Sequence, residues 1–195
     1  MKNIVFDLGG VLFARDKSKC TPELLEFFSF LRAPQMPLFW EEYDRGTSTL
    51  AEVTVTISEM TGRPVEVCSA VLQLAVDLQE PVKATERLVG DLKAAGYKLY
   101  VLSNMSREFI DFLRRFPVYG LFDGEVVSCE EHTVKPEPRI YEILLERYGL
   151  TPSETLFIDD REANIEAAAA LGIHGFVFNH RDPESACDAL RAQLL

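Results

Sequence analysis

Short apolar runs alternating with amphipathic helical segments constrain this chain more than any other feature. The runs are residues 3–7 (NIVFD), 98–103 (KLYVLS), 125–128 (EVVS), 155–159 (TLFID) and 175–178 (GFVF). Each is brief and rich in β-branched or aromatic residues, the pattern of strands covered on both faces. Between them, residues 83–95 carry Leu88, Val89 and Leu92 and stop at Gly96. Residues 139–148 carry Ile140, Ile143 and Leu144 and stop at Gly149; a third segment, from Glu162, carries Ile165, Ala168 and Leu171 and stops at Gly172. Apolar positions at that spacing, closed by glycine, predict helices. The alternation predicts an α/β fold with a Rossmann-like, mainly parallel sheet.

One stretch breaks the rhythm. Roughly 65 residues separate the first strand from the helix near Lys83, far more than a simple connection needs. Residues 23–31 are dense in Leu and Phe, and residues 37–43 are aromatic. Thr49-Leu50-Ala51-Glu52 reads as a capping box that opens a helix through Met60. Val53, Val55 and Ile57 also alternate as a strand would, but Leu50, Val53, Ile57 and Met60 fit helical spacing, and the helix is the reading adopted. Residues 65–78 supply a fourth helix. The expectation is a helical cap subdomain over residues 15–81, inserted into an α/β core formed by residues 1–14 and 82–195.

Composition excludes several functions. With 195 residues, 47% of them hydrophobic and 26% charged, the chain supports one well-cored domain plus a small insertion. Its 20 Lys and Arg against 31 Asp and Glu leave a net charge of −11. Such a surface repels phosphate backbones and anionic lipids, so neither nucleic acid nor membrane is an expected partner. No stretch approaches the roughly 20 apolar residues of a membrane span. A strand-like run begins almost at Met1, which argues against a signal peptide. Cys20, Cys68, Cys129 and Cys187 lack metal-ligand spacing, and a reduced, cytoplasmic setting is expected. Oligomeric state is not legible.

In a parallel α/β sheet, ligands bind beyond the carboxyl ends of the strands. The first strand ends in Asp7 beside a Gly9-Gly10 turn, the second in Ser103-Asn104, and the fourth in Asp159-Asp160. The loop after the third carries Lys135-Pro136. Taken singly, Ser103 reads as a turn hydroxyl and Lys135 as a solvated loop residue, whereas Asp7, closing a buried strand beside a Gly-Gly turn, reads as a nucleophile in preference to a turn cap. The adjacent carboxylates of Asp159-Asp160 repel each other unless a cation lies nearby. His132, His174 and His180 show no ligand spacing, with His180 the one expected near a site mouth.

In this order the motifs IVFDLGGVL, VLSN, KPEPRIY and FIDDREANIEAAAALG resemble the haloacid dehalogenase (HAD) superfamily of aspartate-nucleophile hydrolases. The resemblance spans the chain and puts the helical insertion in the position of that family's cap. The DLGGV opening resembles the branch of small sugar-phosphate phosphatases, glucose-1-phosphate phosphatases among them. The resemblance implies a small-molecule phosphate substrate and Mg²⁺ as cofactor. Asp7 is then the nucleophile, and Asp7, the Gly9 carbonyl and Asp160 ligate Mg²⁺, with Asp159 at the edge of that set. Ser103 and Asn104 bind the phosphoryl group, and Lys135 neutralises charge on it and on the nucleophile.

Two positions depart from the family pattern. Most phosphatases of the superfamily carry a second aspartate two places after the nucleophile, as general acid and base; here that place is Gly9. Either the leaving group is a good one, or a cap residue such as Glu42 or Asp44 donates the proton, or the protein is not a phosphatase; the first is the reading adopted, because the sugar-phosphate branch it resembles shares this glycine. Asn164 stands where many relatives carry a carboxylate, and its amide is expected to orient a metal-bound water or Asp160. In the cap, Arg45 reads either as a contact to an oxygen-rich substrate or as a surface ion pair. The competing functions are a metal-free 2-haloacid dehalogenase using the same aspartate, and a non-catalytic binding domain.

Overall fold

The computed structural model describes residues 1–15, 17–32 and 36–195. Its core is a five-stranded sheet of β1 (Asn3–Phe6), β4 (Lys98–Ser103), β5 (Gly124–Val127), β6 (Thr155–Asp159) and β7 (His174–Val177). All are parallel, in the order β5-β4-β1-β6-β7. Because side chains alternate along a strand, each strand feeds two cores. Ile4, Phe6, Leu99, Val101, Leu156 and Ile158 face one side, covered by α5 (Lys83–Ala94), α6 (Arg107–Leu113) and α10 (Pro183–Leu194). Val5, Tyr100, Leu102 and Phe157 face the other, beneath α8 (Pro138–Tyr148) and α9 (Glu162–Ala170). β1 lies centrally with both neighbours in register, and its four residues are fully or nearly buried.

The last strand departs from expectation. β7 runs from His174, lies at the edge of the sheet and is largely exposed. Helices α6 and α10 were not read from sequence; α6 is only seven residues long and follows β4 after a three-residue turn.

The insertion is helical as expected: α1 (Pro22–Phe27), α2 (Leu38–Arg45), α3 (Leu50–Thr61) and α4 (Val65–Asp77). The Thr49–Glu52 capping box forms in both directions, with Glu52 N donating to Thr49 Oγ1 and Thr49 N to Glu52 Oε2 (3.3 and 2.8 Å). Val53 and Ile57 are buried while Val55 is exposed, the outcome of a 3.6-residue period. Met60, assigned to the apolar face, is exposed instead. The cap has its own core, in which Phe27, Phe28, Trp40, Tyr43, Ile57 and Leu72 are buried. A ribbon absent from the sequence reading, β2 (Phe13–Arg15) against β3 (Gln79–Pro81), clasps the two crossings between cap and core. Among the described residues no helix is long and apolar enough to cross a membrane.

Candidate active site

The ends of β1, β4 and β6 lie side by side, and each delivers one side chain to the same point. Ser103 Oγ donates to Asp7 Oδ1 at 2.8 Å, and Lys135 Nζ reaches the same oxygen at 2.9 Å. The ammonium also binds Asp159 Oδ2 at 2.6 Å and the Leu102 carbonyl at 2.9 Å, which uses all three of its protons. Lys135 is buried, as are Asp7, Ser103 and Asp159. Burial alone would pull the lysine's pKa down; Asp159 and Asp7 outweigh it and hold the value above the ordinary one.

A loop carries Lys135, and Asn104 explains its placement. The Asn104 side chain takes the Lys135 amide on Oδ1 (2.7 Å) and gives Nδ2 to the Lys135 carbonyl (2.9 Å), imitating a strand partner. That carboxamide, expected to meet substrate, is therefore engaged with backbone. Asn164 is also redirected: it donates to both oxygens of Asp159 at 3.0 Å, not to Asp160. Asp159 receives the Arg161 amide as well (2.8 Å), so each of its oxygens accepts two hydrogen bonds.

Asp160 lies 3.1 Å from Nδ1 of His180, the histidine expected near the mouth. Its carboxylate lies against Gly10, where a Cβ would sit 2.7 Å from Oδ2 and where φ is +78°. Gly10 is thus glycine for two reasons, close approach and left-handed backbone. Oxygens of Asp7, Asp159 and Asp160 all lie within 4.8 Å of one another. Burial, followed by repulsion within this cluster, raises the Asp160 pKa, while Asp7, shielded in part by Lys135, reaches about 6. Three carboxylates against one lysine form a hard-oxygen set suited to Mg²⁺.

The cap adds a fourth carboxylate. Four consecutive residues at the end of α2 are stitched to the core. Tyr43 donates to Glu108 (2.6 Å), the Asp44 carbonyl accepts from Ser128 Oγ, Arg45 forks onto Glu137 (2.7 and 2.9 Å), and Gly46 packs on Cys129. Glu137 follows Lys135 by two residues, and Arg45 holds its pKa down to about 2. Arg45 therefore serves as a cap–core tie and does not face the cavity. Asp44 does, opposite Gly9, Gly10, Asn104 and Arg161. Removal from bulk water, then the charges of Asp7 and Glu41, raise its pKa to about 7 against the pull of Arg161 and the Ser106 amide. Sequence reasoning passed over Arg161 and Glu137; the signal available was their position beside Asp160 and Lys135.

Gly46 tests this docking. At φ +76° an added Cβ would overlap the Cys129 carbonyl oxygen. Gly46→Ala is expected to lower stability by about 1–3 kcal/mol. Any turnover that needs the docked cap should fall on the order of 10²-fold, as for a 1 Å misplacement. A thermal melt and a steady-state assay read both; an unchanged rate would detach cap docking from chemistry.

The chain is similar to known proteins. Residues 1–172 match the family profile of haloacid dehalogenase-like hydrolases. The acyl-CoA dehydrogenase family member 10 of Mus musculus is 33% identical over 161 residues, 80% of this chain, which spans only 14% of the mouse protein's length. A sesquiterpene phosphatase of Aspergillus oryzae is 27% identical over 89% of this chain and 88% of its own. A D-ribitol-5-phosphate phosphatase of Bacteroides thetaiotaomicron is 27% identical over 96% and 94%. The crystal structure of a HAD family enzyme from B. thetaiotaomicron, in complex with magnesium and inorganic phosphate, superposes with a TM-score of 0.72. It is 28% identical and covers 92% of this chain and 95% of its own. The chain belongs to the haloacid dehalogenase-like hydrolases.

Proposed function

We propose that the protein is a Mg²⁺-dependent phosphomonoesterase that works through an aspartyl phosphate on Asp7. The observation that carries this reading is the convergence of Asp7, Asp159 and Asp160 around one buried lysine and one serine. A metal-free dehalogenase has no use for that many carboxylates, and a binding domain has no need of a nucleophile held by Ser103 and Lys135. The related enzyme with bound magnesium and phosphate supports the same reading.

Asp7, the Gly9 carbonyl and Asp160 would hold the metal, with Asp159 as the anchor of Lys135, since its oxygens are already committed. When bound, Mg²⁺ offsets repulsion between the nucleophile and the phosphoryl oxygens. Asp7 attacks phosphorus and the P–O bond to the alcohol breaks. Lys135 and Ser103 stabilise charge on the transferring group. Asp44 gives its proton to the departing alkoxide, then takes one from the water whose oxygen attacks the aspartyl phosphate; phosphate leaves and Asp7 is restored. A carboxyl with a pKa near 7 is suited to both transfers. Asp44, not Glu42, thus stands in for the aspartate that Gly9 replaces, and Asn104 positions Lys135.

The test is phosphate release from a panel of phosphomonoesters with and without Mg²⁺. Asp44→Asn is expected to slow alkyl phosphates on the order of 10²–10³-fold. Its effect on p-nitrophenyl phosphate should be far smaller, because that leaving group needs no proton. Equal losses on both would remove Asp44 from proton transfer. The sugar-type substrate implied by the DLGGV resemblance, and supported by the ribitol-phosphate relative, is one arm of the panel.

A further inference from the structure

The cavity above the strand ends has two unlike halves. One is the polar floor already described, with Asp44 facing it. The other, formed by cap and ribbon, is apolar: Phe13, Phe28, Leu31, Met36, Trp40 and Phe109 line it, and the whole encloses about 320 Å³. Phe28 and Phe109 each meet Trp40 edge-on, with ring centroids 6.0 and 6.5 Å apart, so the wall is assembled before any ligand arrives. Among the described residues the polar side chains on this side are Gln79 and Arg15, whose guanidinium lies 4.6 Å over the Phe28 ring.

A polyol body carries a hydroxyl on nearly every carbon, and each hydroxyl drawn from water needs a new partner. Among the described residues this wall offers two such side chains, Arg15 and Gln79, against six large apolar ones. A hydrocarbon body needs none and gains by leaving water. We infer that the substrate is a phosphomonoester with an aliphatic body of several carbons, its phosphoryl group at Asp7 and its chain against the Trp40 wall. The inference rests on the phosphatase reading and narrows it.

The experiment is a series of n-alkyl phosphates from methyl to octyl beside a hexitol phosphate, assayed with Mg²⁺. The expected result is a rise in kcat/KM of about fourfold per methylene until the cavity fills. Hexyl phosphate should exceed hexitol phosphate on the order of 10²-fold, the product of several such steps. In Met36→Gln and Leu31→Gln the hexyl-to-methyl ratio should fall roughly fivefold, about the worth of one methylene contact or slightly more. A ratio taken within one preparation does not depend on the fraction folded. Measurable release with a flat series, or with the hexitol preferred, overturns the inference and leaves the phosphatase reading standing. No release from any member removes both.

Discussion

Asp7→Asn is expected to lose phosphate release by on the order of 10⁴-fold or more while melting several degrees above the parent protein. The first effect follows from removing the proposed nucleophile. The second follows from the company Asp7 keeps: Asp159 and Asp160 share its pocket, and one lysine serves the group. Burial, then the neighbouring carboxylates, raise the Asp7 pKa to about 6, so its ionised form is disfavoured in the metal-free fold. Between about pH 4 and 6 the native state binds the extra proton, so stability falls as pH rises through that window. At neutral pH the cost is roughly 3 kcal/mol, which the asparagine variant escapes. Mg²⁺ should raise the melting temperature of the parent more than that of the variant. Turnover within tenfold of the parent, or a lower melting point in metal-free buffer, would overturn this account.

Lys135→Met pushes stability the other way. The ammonium is the shared partner of Asp7 and Asp159, and it also caps the Leu102 carbonyl. Methionine fills similar space but leaves two buried carboxylates without their counter-charge. Loss of one partner of a buried pair typically costs about 3–5 kcal/mol. Urea unfolding at pH 7 should register that loss, and added Mg²⁺ should recover part of it. Phosphate release should drop on the order of 10²–10³-fold, the usual effect of removing one group that stabilises developing charge. A variant as stable as the parent would mean that Lys135 does not balance the cluster.

The strand ends were legible because buried parallel strands leave unbroken apolar runs, and a polar residue closing such a run is conspicuous. Asp7, Ser103 and Asp159 are of this kind. Lys135 was legible only by its place in the series, since the groups that hold it, Asn104 and the Leu102 carbonyl, are remote in sequence. The β2–β3 ribbon escaped notice because two three-residue strands joined across the whole cap leave no periodic signature. Asp44 and Arg45 are adjacent at the end of one helix. Which turns to the cavity and which to Glu137 is decided by how α2 docks, a tertiary fact no local pattern encodes.

The stitched end of α2 has a consequence for how this enzyme can diversify. Where proton transfer resides on the core, a cap can be exchanged and only selectivity changes hands. Here the same helix bears Trp40 in the apolar wall and Asp44 over the floor, four residues apart. On the proposed mechanism, selectivity and reactivity are inherited together. A chimera given a foreign cap should bind a new body yet stall on every alcohol too basic to depart unaided, until a carboxyl is restored at the seam.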